Sequence, residues 1–155
     1  CYSDRPAEWG TIKGIEAADV HTRQELDLSA ETPRLADISV AEDIKNLPVQ
    51  DIAGLLIPQV ASDGSLPEAQ GFFLLPASPV DGTAAHPLHL RITTTKDGNG
   101  NLKETLSNVF VRIEGGFEIG KSHIVSLFFT GAANIQTTHV SVEAWTEDEQ
   151  GEMPI

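Results

Sequence analysis

Apolar and polar positions alternate through the last third of the chain. Leu88, Leu90 and Ile92 interleave with His89, Arg91 and Thr93, and Val109, Val111 and Ile113 with Phe110, Arg112 and Glu114. Val125, Leu127 and Phe129 interleave with Ser126 and Phe128, and Val140 and Val142 with Ser141 and Glu143. Period-two patterning bounded by Gly and Asn clusters predicts half-buried antiparallel strands. The run KDGNGN at residues 96–101 is the most turn-rich stretch and predicts a hairpin tip. Strand alternation then places Val125, Leu127, Phe129, Val140 and Val142 on one buried face, packed against Leu88, Leu90 and Ile92.

The pattern is less regular upstream. Residues 1–10 (CYSDRPAEWG) are polar, hold a Pro and a Gly, and read as a tether. TIKGIEAADV is a weak strand at best, whereas QELDLSA alternates at Leu26, Leu28 and Ala30 and predicts a strand. Residues 35–47 are ambiguous. Leu35, Ile38, Ala41, Ile44 and Leu47 recur every three residues, as in a short helix, yet Ile38-Ser39-Val40 also suits a strand. The runs IAGLLIPQV (52–60) and FFLLPASP (72–79) predict buried strands that stop at Pro58, Pro76 and Pro79, since Pro cannot sit mid-sheet. About nine short strands with frequent turns define an all-β chain, a two-sheet antiparallel β-sandwich of Greek-key or transthyretin-like type. The expected organisation is a tether at 1–10, one sandwich domain at 11–146 and an acidic tail at 147–155.

A chain of 155 residues is long enough to bury a core without disulfides. Acidic residues outnumber basic ones 23 to 10, for a formal charge of −13. That balance disfavours nucleic acid and anionic lipid, which both need Lys/Arg clusters. Cys1 is the only cysteine, so no intramolecular disulfide or cysteine-based metal cluster forms. A first-position Cys followed by Tyr2-Ser3-Asp4-Arg5 is what lipoprotein signal cleavage leaves, making Cys1 a lipidation candidate. The competing explanation is a chain boundary that happens to fall on Cys. No run of 18 apolar residues exists to cross a bilayer.

The chemistry of sites is sparse. There is no Gly-x-Ser-x-Gly, no His-Glu-x-x-His and no phosphate loop, so neither catalytic residues nor a cofactor are expected. Asp97-Gly98-Asn99-Gly100-Asn101 opens like a calcium loop. It then carries Leu102 at the sixth position and Asn108 at the twelfth, where Gly and Glu are needed, so no metal is expected. His86 and His89 fall on opposite faces of a strand, and His123 and His139 read as packed or edge histidines. Trp9 and Trp145 are candidate sugar platforms, although Trp145 more simply covers the end of the core.

Two segments carry a family resemblance. One is Leu55-Leu56-Ile57-Pro58-Gln59 together with Phe72-Phe73-Leu74-Leu75-Pro76-Ala77. The other is Phe117-Glu118-Ile119-Gly120-Lys121-Ser122-His123-Ile124-Val125, leading to Val140-Ser141-Val142-Glu143-Ala144-Trp145-Thr146. Over residues 55–146 this resembles the fimbrillin-like family of Gram-negative gut and mouth anaerobes. Its members carry a Leu-Leu-x-Pro-Gln/Ala strand, then a hairpin opening on Gly-Lys and closing on Trp-Thr/Ser. His123 stands where the family often has Tyr, and fuller members have two sandwich domains where this chain has room for one.

The resemblance implies an exported outer-membrane lipoprotein of the cell surface, trimmed after Arg and joined to other pilus subunits by β-strand complementation. On this chain the trimming candidates are Arg23 and Arg34, which also read as ordinary surface arginines. The segment before them is the expected replaceable strand, and Thr146–Ile155 an expected donor. The expected function is therefore a fimbrial or adhesin-type structural subunit or accessory protein, as a homopolymer or with other surface proteins. The alternative is a glycan- or protein-binding surface lipoprotein module of the same fold.

Overall fold

A computed structural model describes residues 1–76 and 79–144, with side chains at 139, 140, 143 and 144 excluded. Its strands are β1 (Tyr2–Ser3), β2 (Thr11–His21), β3 (Gln24–Asp27), β4 (Arg34–Asp37), β5 (Ile44–Pro48), β6 (Leu55–Leu56), β7 (Leu88–Thr94), β8 (Thr105–Val111), β9 (Lys121–Thr130) and β10 (Asn134–Ala144). One sheet runs β5-β2-β7-β8, with β6 extending the β5 side of β2. The other runs β1-β9-β10, and β3 and β4 form a separate two-stranded ribbon. The strands pair antiparallel except β1 with β9, and an isolated parallel bridge joins Ser3 to Gln59 on the other side of β1. The chain is an all-β sandwich.

Alternation decides which side chains enter the space between the sheets. Ile12, Ile15, Ala17 and Val20 from β2, Leu88, Leu90 and Ile92 from β7, and Val109 and Val111 from β8 are buried there with Leu127 and Phe129 of β9. Val142 of β10, expected inside, is 44% exposed and lines an open cleft beside β8. The expectation for Val140 and for the Trp145 cover falls outside the described side chains.

The expected tether is part of the fold. Tyr2 and Ser3 pair with Phe128 and Phe129. Tyr2 stacks on Phe128 at 5.0 Å, and its hydroxyl lies 2.7 Å from that of Thr138. Trp9, offered by the sequence as a sugar platform, is fully buried. Its indole N–H donates to the Thr130 carbonyl at 3.0 Å, and its ring meets Phe129 edge-on. The 96–101 hairpin tip closes over it. Gly98 and Gly100 donate to the Glu8 carbonyl, both at 3.1 Å. Gly98 has φ +80°, and a Cβ there would sit 2.9 Å from the indole, so glycine is required on two counts.

Other expectations are corrected. TIKGIEAADV is the central strand β2, irregular at Ile12–Gly14 and at Ala17–Val20. Each bulge adds a residue, so the inward positions fall at 12, 15, 17 and 20 and escape a strict period of two. Residues 35–47 form no helix. They supply the end of β4, a single 3₁₀ turn at Ala41–Asp43 and most of β5. The expected strand QELDLSA exists as β3, but it lies in the ribbon with Leu26 and Leu28 exposed rather than in the core. The 52–60 run buries Ile52 and Ile57, yet only Leu55–Leu56 form a strand and Leu56 faces solvent. Among its described residues the 72–79 run makes a single bridge, Phe72 to Gln50, and Phe72 and Leu74 are exposed.

These packing positions set the stability response. Leu127→Ala should cost about 2–5 kcal/mol in urea unfolding, because Leu127 is fully enclosed. Val142→Ala should cost less than about 0.5 kcal/mol, because half of its surface is already wet. Equal losses at both positions would contradict this core.

Candidate functional site: an open seam between two strand edges

The two sheets end side by side in β8 and β10, whose outer edges have no strand partner among the described residues. Between them lies a cleft of about 840 Å³, lined by Val109, Phe110, Arg112 and Ile113 on one bank and Ile135, Gln136, Thr137 and Val142 on the other. Glu114, Gly116 and Glu118 border it too. This lies within the range of ligand-sized clefts, about 300–1,000 Å³. The walls combine apolar side chains with amide and hydroxyl groups, as suits an extended polypeptide more than a small charged metabolite. The Thr137 hydroxyl is buried and, among the described residues, has no hydrogen-bond partner.

The two edges differ. β10 is interrupted by a register shift between Thr137 and His139. Bulges of this kind twist an edge away from further pairing. β8 pairs with β7 without a break from Thr105–Thr94 to Val111–Leu88. Its sequence, TLSNVFV, holds no charged residue and no proline. Among the described residues no loop supplies a backbone hydrogen bond to Leu106–Val111 from the open side. Such an edge is the usual template for another strand.

The outward face of β8 is ordered by its neighbours. The Phe110 ring stacks on His89 at 4.5 Å, and the Arg112 guanidinium lies 5.6 Å from its centre. His89 Nε2 lies 2.8 Å from Asn108 Oδ1, and Nδ1 lies 3.8 Å from an Asp19 carboxylate oxygen.

The residues singled out by sequence lie away from the seam. Cys1 is half-buried against the core, beside the pairing of β1 with β9. Arg23 links β2 to β3, 62% exposed and 3.9 Å from Asp43. Arg34 begins β4, 72% exposed with Nε 3.5 Å from Asp27. The two arginines mark opposite ends of the ribbon. The chain before Arg23 is not the weakly patterned segment that was expected, since it contains Trp9 and all of β2. His123 Nε2 accepts the Glu118 N–H at 3.0 Å, while the His139 side chain is outside the described set. Among the described residues no group of three His, Cys, Asp or Glu is placed to hold a metal ion, and no helix is long and apolar enough to cross a membrane. The seam itself was missed. Its one trace in the sequence is the uncharged run between Glu104 and Arg112.

No family model, curated protein or solved structure matches the chain. Fold and site together define a β-sandwich module with an accessible strand edge.

The loops around the sheets are held by aspartates acting on the backbone two residues ahead. Asp27, Asp37, Asp63, Asp81 and Asp97 accept from Ser29, Ser39, Ser65, Thr83 and Asn99 at 2.9–3.0 Å. At Asp97 the Asn101 side-chain amide also donates, at 2.8 Å, so both carboxylate oxygens are engaged. These bonds hold the Asp97 carboxyl below its ordinary value of 3.8, the Asn101 amide contributing most. Ser29, Ser39, Ser65 and Thr83, led by their hydroxyls, lower the other four. A depressed folded pKa gives stability that is complete above the unfolded value and lost as pH falls through the folded one. Acid unfolding should therefore steepen below about pH 4. Asp97→Asn, which keeps an acceptor without a titrating proton, should flatten that limb. An unchanged limb in both Asp97→Asn and Asp81→Asn would refute the assignment.

Proposed function

We propose that this chain is a cell-surface assembly module, a fimbrial or adhesin-type accessory subunit that receives an extended segment of another pilus subunit along β8. The observation that carries this reading is the seam. A regular, uncharged strand edge, unpaired among the described residues, opens on a cleft whose lining includes Phe110, Ile113, Ile135 and Val142. Strand addition needs both, main-chain groups for affinity and side-chain pockets for register. The resemblance at residues 55–146 points the same way. Among the roles it implies, an anchor or tip subunit suits the chain better than a shaft subunit. A shaft subunit would shed the segment before Arg23, which here is the middle strand of the larger sheet. The glycan-binding alternative has less support, because Trp9 is buried and the exposed Phe110 already stacks one way on His89 with Arg112 beside it.

Limited digestion with an Arg-specific protease, followed by size-exclusion chromatography, tests the role. Nicked protein should elute as one species with residues 1–23 still bound. An oligomer ladder after cleavage would instead assign a shaft subunit that exchanges its first strand. Hydrogen exchange tests the seam. Peptides spanning residues 1–23 and 146–155, as candidate donors, should protect amides within Thr105–Val111. Absence of protection there at millimolar peptide would remove the strand-accepting reading.

Membrane attachment through Cys1 belongs to the same proposal. Because β1 begins at the next residue, a lipid on Cys1 would hold the sandwich close to the bilayer. Mass spectrometry of the N-terminal peptide from membranes should show an acylated Cys1. An unmodified thiol on an abundant soluble form would remove the anchor.

A further inference from the structure

We propose that two copies of this chain pair through β8, antiparallel about a two-fold axis at Asn108, and so join their larger sheets into one continuous sheet. The inference rests on β8 being the accepting edge and adds a partner, a second copy of the chain.

Antiparallel pairing about residue 108 sets position i against position 216 − i of the partner copy. Outward-facing Leu106 then meets Phe110 of the other copy, and Asn108 meets its own counterpart. Glu104, just before the strand, meets Arg112, just after it. Leu106 and Phe110 are 47% and 45% exposed and gain cover from each other. Glu104 already contacts Lys13 at 2.5 Å, yet its side chain remains 59% exposed and open to a second cation. Directly opposed residues interact most strongly in a sheet, and opposite charges and apolar pairs are the favourable matches.

The neighbouring symmetric registers fail on the same residues. A two-fold at Val109 sets Glu104 against Glu114 and Leu106 against Arg112. A two-fold at Ser107 sets Glu104 against Phe110 and Leu106 against Asn108. Only the register at Asn108 matches all outward positions from 104 to 112. It also closes as a dimer, since one face meets itself and leaves no further copy of β8 free.

The formal charge of −13 per chain opposes association in general. An uncharged strand with oppositely charged ends is therefore the place where two such chains approach at least cost. Because dimer and donor strand use one edge, the dimer is the closed form of the subunit before assembly.

Sedimentation velocity from roughly 1 μM to 1 mM chain should show a reversible dimer. Leu106→Lys should abolish it without changing the melting temperature of the monomer. Arg112→Glu, which sets like charges opposite each other, should weaken it about tenfold. The charge swap Glu104→Lys with Arg112→Glu should restore it. In a Cys1→Ser background, Asn108→Cys should cross-link to its own copy under mild oxidation, and Leu106→Cys should not. A chain monomeric throughout this range overturns the proposal. So does a dimer indifferent to Leu106→Lys and to the charge swap. If the chain stays monomeric but donor peptides still protect β8, the dimer falls and the strand-accepting function stands. If the dimer forms and no peptide protects β8, the dimer stands and the donor reading falls.

Discussion

Burial of Trp9 is the constraint on which the rest of the molecule depends. The indole sits where three otherwise separate pieces meet, the turn after β1, the 96–101 hairpin tip and the turn between β9 and β10. Its ring supplies the apolar contact and its N–H satisfies the Thr130 carbonyl, so one side chain closes the core and meets a backbone polar demand there. Fixing Trp9 fixes the start of β2 on one side and draws β1 onto β9 on the other. The two sheets share one core at this end because residues 1–10 belong to both. Left-handed backbone at Ala132 and Ala133 costs roughly 1–2 kcal/mol per residue. The β9–β10 turn bears that cost where it abuts Gly98 and the indole.

At the edges of β8 and β10 nothing comparable closes the sandwich among the described residues. Neither strand has a further partner there, and of the two only β10 carries a bulge. The asymmetry between a pinned end and an open side distinguishes this sandwich from a closed one, and it is why the functional reading centres on β8. The surface charge frames this opening. Most of the exterior is acidic, whereas the edge itself is neutral for seven residues between a carboxylate and a guanidinium.

The strands of the last third were readable because both β7 and β8 are unbulged, so burial alternates strictly along them. β2 was hidden by its own irregularities. Two bulges move its inward residues to spacings of three, two and three, which resemble neither a strand nor a helix. Residues 1–10 misled for a different reason. Their composition is polar, and the one residue that governs them, Trp9, carries no periodicity. Phe72 and Leu74 err in the opposite sense, since an apolar run signals burial and here its alternate side chains face solvent. The seam was almost illegible, because being an edge is a property of strand order and local pattern does not encode it. Cys1, Arg23 and Arg34 stand out only by residue type and by resemblance, and none lines the cleft.

The position of β1 has a mechanical consequence. Tyr2–Ser3 is a two-residue parallel strand, and immediately behind it the chain is held by the enclosed indole. Tension entering at residue 1 loads the bonds of β1 first, those to β9 and those to residues 58–60, where the Ser3 N–H donates to the Pro58 carbonyl at 2.9 Å and the Val60 N–H to the Ser3 carbonyl at 2.8 Å, and the load then passes to Trp9. Peeling the first eight residues uncovers β9 where Tyr2 and Ser3 were buried, and extraction of Trp9 then exposes Phe129 beneath the indole. The first segment therefore yields in two stages, the short strand β1 before the enclosed indole, and pulling from this end reaches the centre of the core only at the second.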